Sequence, residues 1–148
     1  MKTVRNLLNE KGAQVWSATP ATPVFEALRQ MADKDIGALV VMEGEKIAGI
    51  FTERDYARKI ILKGKASRNT PIGEIMSTPV VTVAPKQSVL ECMALMSRER
   101  IRYLPVVEHS RIAGIVSIGD VLSAIIADQE DALQRMERAA RGESDLLI

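Results

Sequence analysis

Gly49-Ile50-Phe51-Thr52-Glu53-Arg54-Asp55 returns 65 residues later as Gly114-Ile115-Val116-Ser117-Ile118-Gly119-Asp120. In both copies an apolar run ends in a hydroxyl residue, and an aspartate follows three positions on. The similarity spreads outward from these turns. Sliding Val15–Ile61 onto Val80–Ile126 needs no gap and gives sixteen identities, among them Pro20/Pro85, Glu26/Glu91, Met31/Met96 and Asp55/Asp120. A unit longer than a helical hairpin, present in two copies, predicts two similar half-domains about a pseudo-twofold axis, since a solenoid needs three or more units. Function is then expected at paired sites.

With 148 residues, each repeat alone is marginal in the core it can bury, so the halves are expected to share one core. A hydrophobic content of 47% beside 26% charged residues is that of a soluble globular chain, and no apolar run reaches membrane-spanning length. The opening Met1-Lys2-Thr3-Val4-Arg5 lacks the pattern of a secretory signal, which predicts a cytoplasmic protein. Cys92 is the single cysteine. It excludes an internal disulfide or a cysteine-rich zinc site and reads as a small core residue. A net charge of +1 with two Phe and two Tyr argues against a broad nucleic-acid surface, so any bound anion is expected to be small.

Residues Thr3–Lys11 read as a leading helix that stops at Gly12, followed by an extended segment at Gln14–Ala18. Thr22 is the expected N-cap of the next helix, with Pro23 at its first position and an end near Asp35. Gly37–Met42 and Lys46–Phe51 read as a β-hairpin, and a helix starts at Thr52. The second copy repeats this order with a strand at Val80–Val83, a helix at Ser88–Arg98, strands at Arg102–Val107 and Arg111–Val116, and a helix from Ser117 to about Ala140. The fold class is mixed α/β, two tandem β-α-β-β-α repeats. By chain order, residues 1–67 form the first repeat with its leading helix, 68–79 a linker, 80–130 the second repeat and 131–148 a C-terminal helical extension. The apolar stripe of the last helix, Ile125, Ile126, Leu133 and Met136, fits either a dimer contact or a cap on the monomer.

Two readings fit the repeated Thr/Ser-x-x-Asp turn. In the first it is a capping box, hydroxyl to helix amide and carboxylate back to the cap amide. In the second, the free amides and positive partial charge of the helix start, with Thr52 or Ser117, hold a phosphate, and Asp55 or Asp120 chelates ribose hydroxyls. Arg54 adds a guanidinium for phosphate in the first copy, or is a solvated surface charge. Its counterpart is Gly119. The two sites are therefore expected to be unequal, with a monophosphate preferring Thr52, Arg54 and Asp55.

These turns, their spacing, and the stretch Ile101-Arg102-Tyr103-Leu104-Pro105-Val106-Val107 resemble a tandem pair of cystathionine-β-synthase (CBS) domains, a Bateman module, over about Val15–Asp128. The Val-Trp-Ser opening and the Thr-Glu-Arg-Asp turn are similar to small stand-alone bacterial signal-transduction members. The resemblance implies clefts between the halves that bind adenosine-containing ligands: AMP foremost, then NAD(H), ADP, ATP or S-adenosylmethionine. It implies Asp55 and Asp120 on ribose, and Thr52, Ser117 and Arg54 near phosphate. Adenine would lie against Val15-Trp16 with Ile36-Gly37-Ala38, or against Val80-Val81 with Ile101-Arg102-Tyr103. Trp16 either stacks on a base or fills the core. The family also implies a homodimer acting on an unidentified protein partner.

An enzyme is the competing class. His109 is the only histidine and falls in a hairpin turn, no GxGxxG fingerprint is present, and no metal-ligand cluster stands out, so a non-catalytic regulatory module is expected and any NAD would be a signal. A third reading is a ligand-free dimerisation or docking module.

Overall fold

The computed structural model describes residues 2–142; the expected extension at 143–148 lies outside them. Helix α1 (Val4–Lys11) is capped by Thr3 and ends at Gly12, whose φ of 98° suits glycine. The first repeat follows as β1 (Ser17–Ala18), α2 (Val24–Lys34), β2 (Ala38–Glu43), β3 (Lys46–Thr52) and α3 (Glu53–Tyr56), which continues as a π-type turn over Ala57–Ile61. A 3-10 turn at Ile72–Glu74 leads to α4 (Val89–Glu99), β4 (Tyr103–Glu108), β5 (Arg111–Ser117) and the long α5 (Ile118–Ala140).

Each repeat is built on an antiparallel hairpin with the same irregularity, a register shift at Val41/Met42 in one and at Val106/Val107 in the other. Strand β1 adds in parallel to β2 at Ser17↔Val40 and Ala18↔Val41. The strand expected at Val80–Val83 is absent and shrinks to a single bridge, Val83↔Val106. Proline is the cause. The Val40 amide donates to the Trp16 carbonyl at 3.3 Å, but its counterpart Pro105 has no N–H to donate, so the ladder cannot extend.

Helix α2 also departs from expectation. It begins at Val24, with Pro23 in the cap position and no side-chain cap, because Thr22 Oγ1 instead accepts from the Thr19 amide at 3.2 Å. Helix α4 has a side-chain cap, a Ser88/Glu91 capping box.

The halves do not share one core. One cluster joins Val24, Ala27, Met31, Leu39, Val41, Phe51 and Ile60 with Ile72 and Ile75 from the linker. The other joins Val89, Cys92, Met96, Leu104, Val106, Val116 and Val121 with Val4, Leu7 and Leu8 from α1. Each small core is thus completed by a strap that precedes the other repeat in sequence. In space α1 belongs with the second half, although chain order groups it with the first.

Matching hydrogen bonds hold the straps. Val4 N donates to Gln87 O (2.8 Å), Arg5 N to Pro85 O (2.8 Å), and Val89 N to Lys2 O (3.0 Å). In the first half Ile72 N donates to Thr22 O (2.8 Å), Gly73 N to Pro20 O (2.9 Å), and Val24 N to Thr70 O (2.8 Å). The repeated glycines mark where the straps cross β3 and β5. A Cβ on Gly49 would lie 2.6 Å from Met76 Sδ, and one on Gly114 would lie 2.6 Å from Leu8 Cδ2.

Candidate functional site

Thr52 and Ser117 end their strands in extended conformation and cap the helices that follow. Their hydroxyls accept from the amides of Asp55 and Asp120, both at 3.2 Å. The carboxylates return the bond, accepting from Thr52 N at 3.0 Å and from Ser117 N at 2.8 Å. The capping-box reading therefore holds in both copies, with aspartate in place of the usual longer acid.

The surroundings then diverge. Asp55 is 6% exposed. Its Oδ1 accepts from Ser77 Oγ at 2.9 Å and pairs with Lys59 Nζ at 3.1 Å, while Lys59 also donates to Ile75 O at 2.9 Å. Asp120 is half-buried, and Lys11 Nζ from α1 sits 2.7 Å from its Oδ2. Burial alone would raise the Asp120 carboxyl, but the Lys11 and Ser117 hydrogen bonds outweigh it and hold the group below the ordinary carboxylate value.

A cleft of about 840 Å³ opens between the halves, over the first turn. Thr52, Arg54 and Asp55 form one wall, and Val80, Val81, Ile101, Arg102 and Tyr103 of the second repeat form the other. The first copy's turn is thus combined with the second copy's stretch at Val80–Val81 and Ile101–Tyr103, where the resemblance implies a base. Arg54 reaches across, donating from Nη1 to Arg100 O at 3.3 Å. Tyr103 closes the floor against Gly37: a Cβ at Gly37 would fall 2.2 Å from the Tyr103 hydroxyl and 2.8 Å from Glu53 Oε1, so only glycine fits there. Burial, then Glu53, pushes the Tyr103 hydroxyl above its ordinary value, against the opposing pull of Arg102. It stays a neutral donor near neutral pH.

Of the residues singled out from the sequence, Gly37, Thr52, Arg54, Asp55, Val81, Ile101, Arg102 and Tyr103 meet in this cleft. Ser117, Asp120, Trp16, Ile36 and Ala38 do not line it. Trp16 and Ile36 pack on the edge of the first core, Trp16 with Lys34 Nζ 4.2 Å from its ring centroid, and Ala38 is buried at the start of β2. His109 occupies an exposed hairpin turn with φ 52°. Buried Cys92 has its thiol pushed up to about 11, by burial first and by Glu91 second, which leaves it unreactive.

Sequence reasoning missed Arg58, Lys59, Ser77 and Arg100, all on the cleft. With Arg54 and Arg102 the cleft carries five cationic side chains against the acids Glu53, Asp55 and Glu99. The repeat alignment held the signal. The counterparts of Arg54, Arg58, Lys59, Arg100 and Arg102 are Gly119, Ser123, Ala124, Asp35 and Gly37, none of them cationic. Such a cleft suits an anion with an apolar, planar body, and among the described residues no cluster has the ligands to hold a metal ion.

Two similar α/β repeats facing one another across a cleft define a tandem repeat module. The CBS domain family matches residues 5–62 and again 72–127. The chain belongs to the CBS-domain family, as a tandem pair. It is 39% identical over 150 residues to the mitochondrial CBS-domain protein CBSX3 of Arabidopsis thaliana, covering 95% of this chain and 72% of that one. A protein with CBS domains from Burkholderia ambifaria has the same fold, with a TM-score of 0.84 and 46% identity over 86% of this chain and 96% of that one. The hexameric CBS-CP12 protein of bloom-forming cyanobacteria is more distant, with a TM-score of 0.73 and 27% identity over 95% of this chain and 90% of that one. CBS pairs are regulatory modules. No helix among the described residues is long and apolar enough to cross a membrane.

Proposed function

We propose that this chain is a non-catalytic, cytoplasmic regulatory module that binds an adenosine-containing ligand, AMP foremost, in the cleft over Thr52–Asp55 and signals its occupancy to a protein partner. One observation carries the reading: a hydroxyl, a guanidinium and a carboxylate at a helix start stand opposite an apolar wall with an aromatic hydroxyl, in one cleft. Phosphate would take Thr52 and Arg54, the ribose hydroxyls Asp55, and the base the wall at Val81 and Ile101–Tyr103. ADP, ATP, NAD(H) and S-adenosylmethionine share the adenosyl half and compete for the same cleft.

Binding would act by population shift, because a ligand that bridges the two walls favours the arrangement in which they are correctly spaced. The fully exposed turns of α5 beyond residue 130 carry Leu133 and Met136, in line with exposed Leu122 and Ile126. That face supports a homodimer, as does the hexameric state of the cyanobacterial CBS-CP12 protein. Calorimetric titration of the purified chain with AMP, ADP, ATP, NADH and S-adenosylmethionine tests the reading. Saturable heat with at least one is expected; no heat with any would leave the ligand-free docking module as the better description.

A further inference from the structure

The repeat alignment gives the residues of the open cleft counterparts elsewhere in the chain, Ser117 and Asp120 in the second repeat and Trp16 and Ile36–Ala38 in the first, and the chain's own lysines stand on two of them. The strap hydrogen bonds pair Val4 with Ile72 and Arg5 with Gly73. Continuing that pairing along the straps puts Lys11 opposite Pro79, which lines the open cleft. Lys11 Nζ bonds the Asp120 carboxylate at 2.7 Å and the Ile115 carbonyl at 2.9 Å. Trp16 is the counterpart of the base-wall residue Val81, and Lys34, the counterpart of Glu99, covers its ring at 4.2 Å. Carboxylate and aromatic face, the two groups a nucleoside would use there, each already have an ammonium partner.

Asp55 is engaged too, its Oδ1 by Lys59 and Ser77, but both of these residues line a cleft that remains open. Lys11 comes from a separate element 109 residues away in sequence. An incoming ribose would have to replace this ion pair with neutral hydroxyls, which hydrogen-bond the carboxylate but leave its charge unneutralised. The counterparts of Arg54, Arg58 and Lys59, which line the first cleft, are Gly119, Ser123 and Ala124, so none of these positions repays the exchange through a phosphate.

We propose that Lys11 is an internal occupant of the second nucleoside site, so that the chain takes one adenosyl ligand per pair of repeats. The inference rests on the adenosine reading above. Lys11 sets the stoichiometry by holding Asp120 Oδ2, one of the two carboxylate oxygens that a ribose diol would take. Val4, Leu7 and Leu8 keep α1 in place.

The test is calorimetry with AMP on the full chain and on Lys11→Met, a substitution at a side chain one-third exposed and outside the core. The wild type is expected to bind one AMP per chain, and the variant to gain a second, weaker event. Two events in the wild type, or one in both proteins, overturn the proposal and leave the adenosine reading standing. No heat with either protein overturns both. A second readout needs no ligand: the carboxyl carbon of Asp120, followed by NMR across the acid range, should titrate at higher pH in Lys11→Met. An unchanged midpoint would show that Lys11 does not hold the site.

Discussion

Thr52 and Ser117 accept the amide hydrogen bond of an aspartate three residues on at the same 3.2 Å, yet what surrounds the two aspartates differs. Around Asp55 stand Arg54, Arg58, Lys59, Arg100 and Arg102, bordering an open cleft. Around Asp120 stand Gly119, Ser123 and Ala124, and a lysine from α1 occupies the carboxylate. A duplicated turn keeps its capping chemistry because each helix start needs it. The surrounding charge is not fixed by that capping geometry and has diverged.

Removing the acid from each turn should break the equivalence most sharply. Two hydrogen bonds from ribose to a carboxylate are worth about 1.5–3 kcal/mol each, so Asp55→Ala should weaken AMP binding by at least ~100-fold. Asp120→Ala should change it by less than about 2-fold by calorimetry. Equal losses would mean that both turns carry ligand.

The strap crossings give the next largest effect. An added methyl in a filled space costs about 1–3 kcal/mol. Gly49→Ala should cost more than Gly114→Ala in urea denaturation, because its Cβ would also meet the backbone oxygen of Ser77 at 3.0 Å, whereas Gly114 faces only the flexible end of Leu8. The reverse order would show the two crossings packed differently from what the contacts say.

Arg54→Ala sharpens the comparison on the phosphate side. Losing one charge-assisted contact should lower AMP affinity by about tenfold while leaving adenosine affinity nearly unchanged. A parallel loss for adenosine would place Arg54 on the nucleoside instead.

The smallest effect concerns acid stability. The Asp120 carboxyl lies below its ordinary 3.8 in the folded chain, so its pairing contributes stability above about pH 4, and that contribution is lost as pH falls through the lower folded value. Lys11→Met should therefore be less stable than wild type near pH 6 by about 0.5 kcal/mol, discounted for the partial exposure of both groups. The two should converge once pH has fallen below the folded value. A gap independent of pH would assign the loss to packing of the lysine stem.

The repeat made much of this legible in advance. Two hairpins and two capped helix starts follow from aligning the chain with itself. The separate cores did not, because the strap exchange places Val4, Leu7 and Leu8 beside residues more than 80 positions away, such as Val89 and Val116, and local periodicity cannot report a partner. The missing strand at Val80–Val83 was readable in Pro105, whose lack of an N–H shows only once its partner strand is known. Lys11 on Asp120 and Ser77 on Asp55 escaped for the same reason as the straps. Arg58 and Lys59 were visible all along as charges without counterparts in the second copy.

A crystal structure of the chain grown with AMP addresses the central claim most directly. The account predicts nucleotide density in the cleft over Thr52–Asp55, ribose on Asp55 and phosphate by Thr52 and Arg54, with Lys11 still on Asp120. Nucleotide seated on Asp120 with Lys11 displaced and the first cleft empty would contradict it.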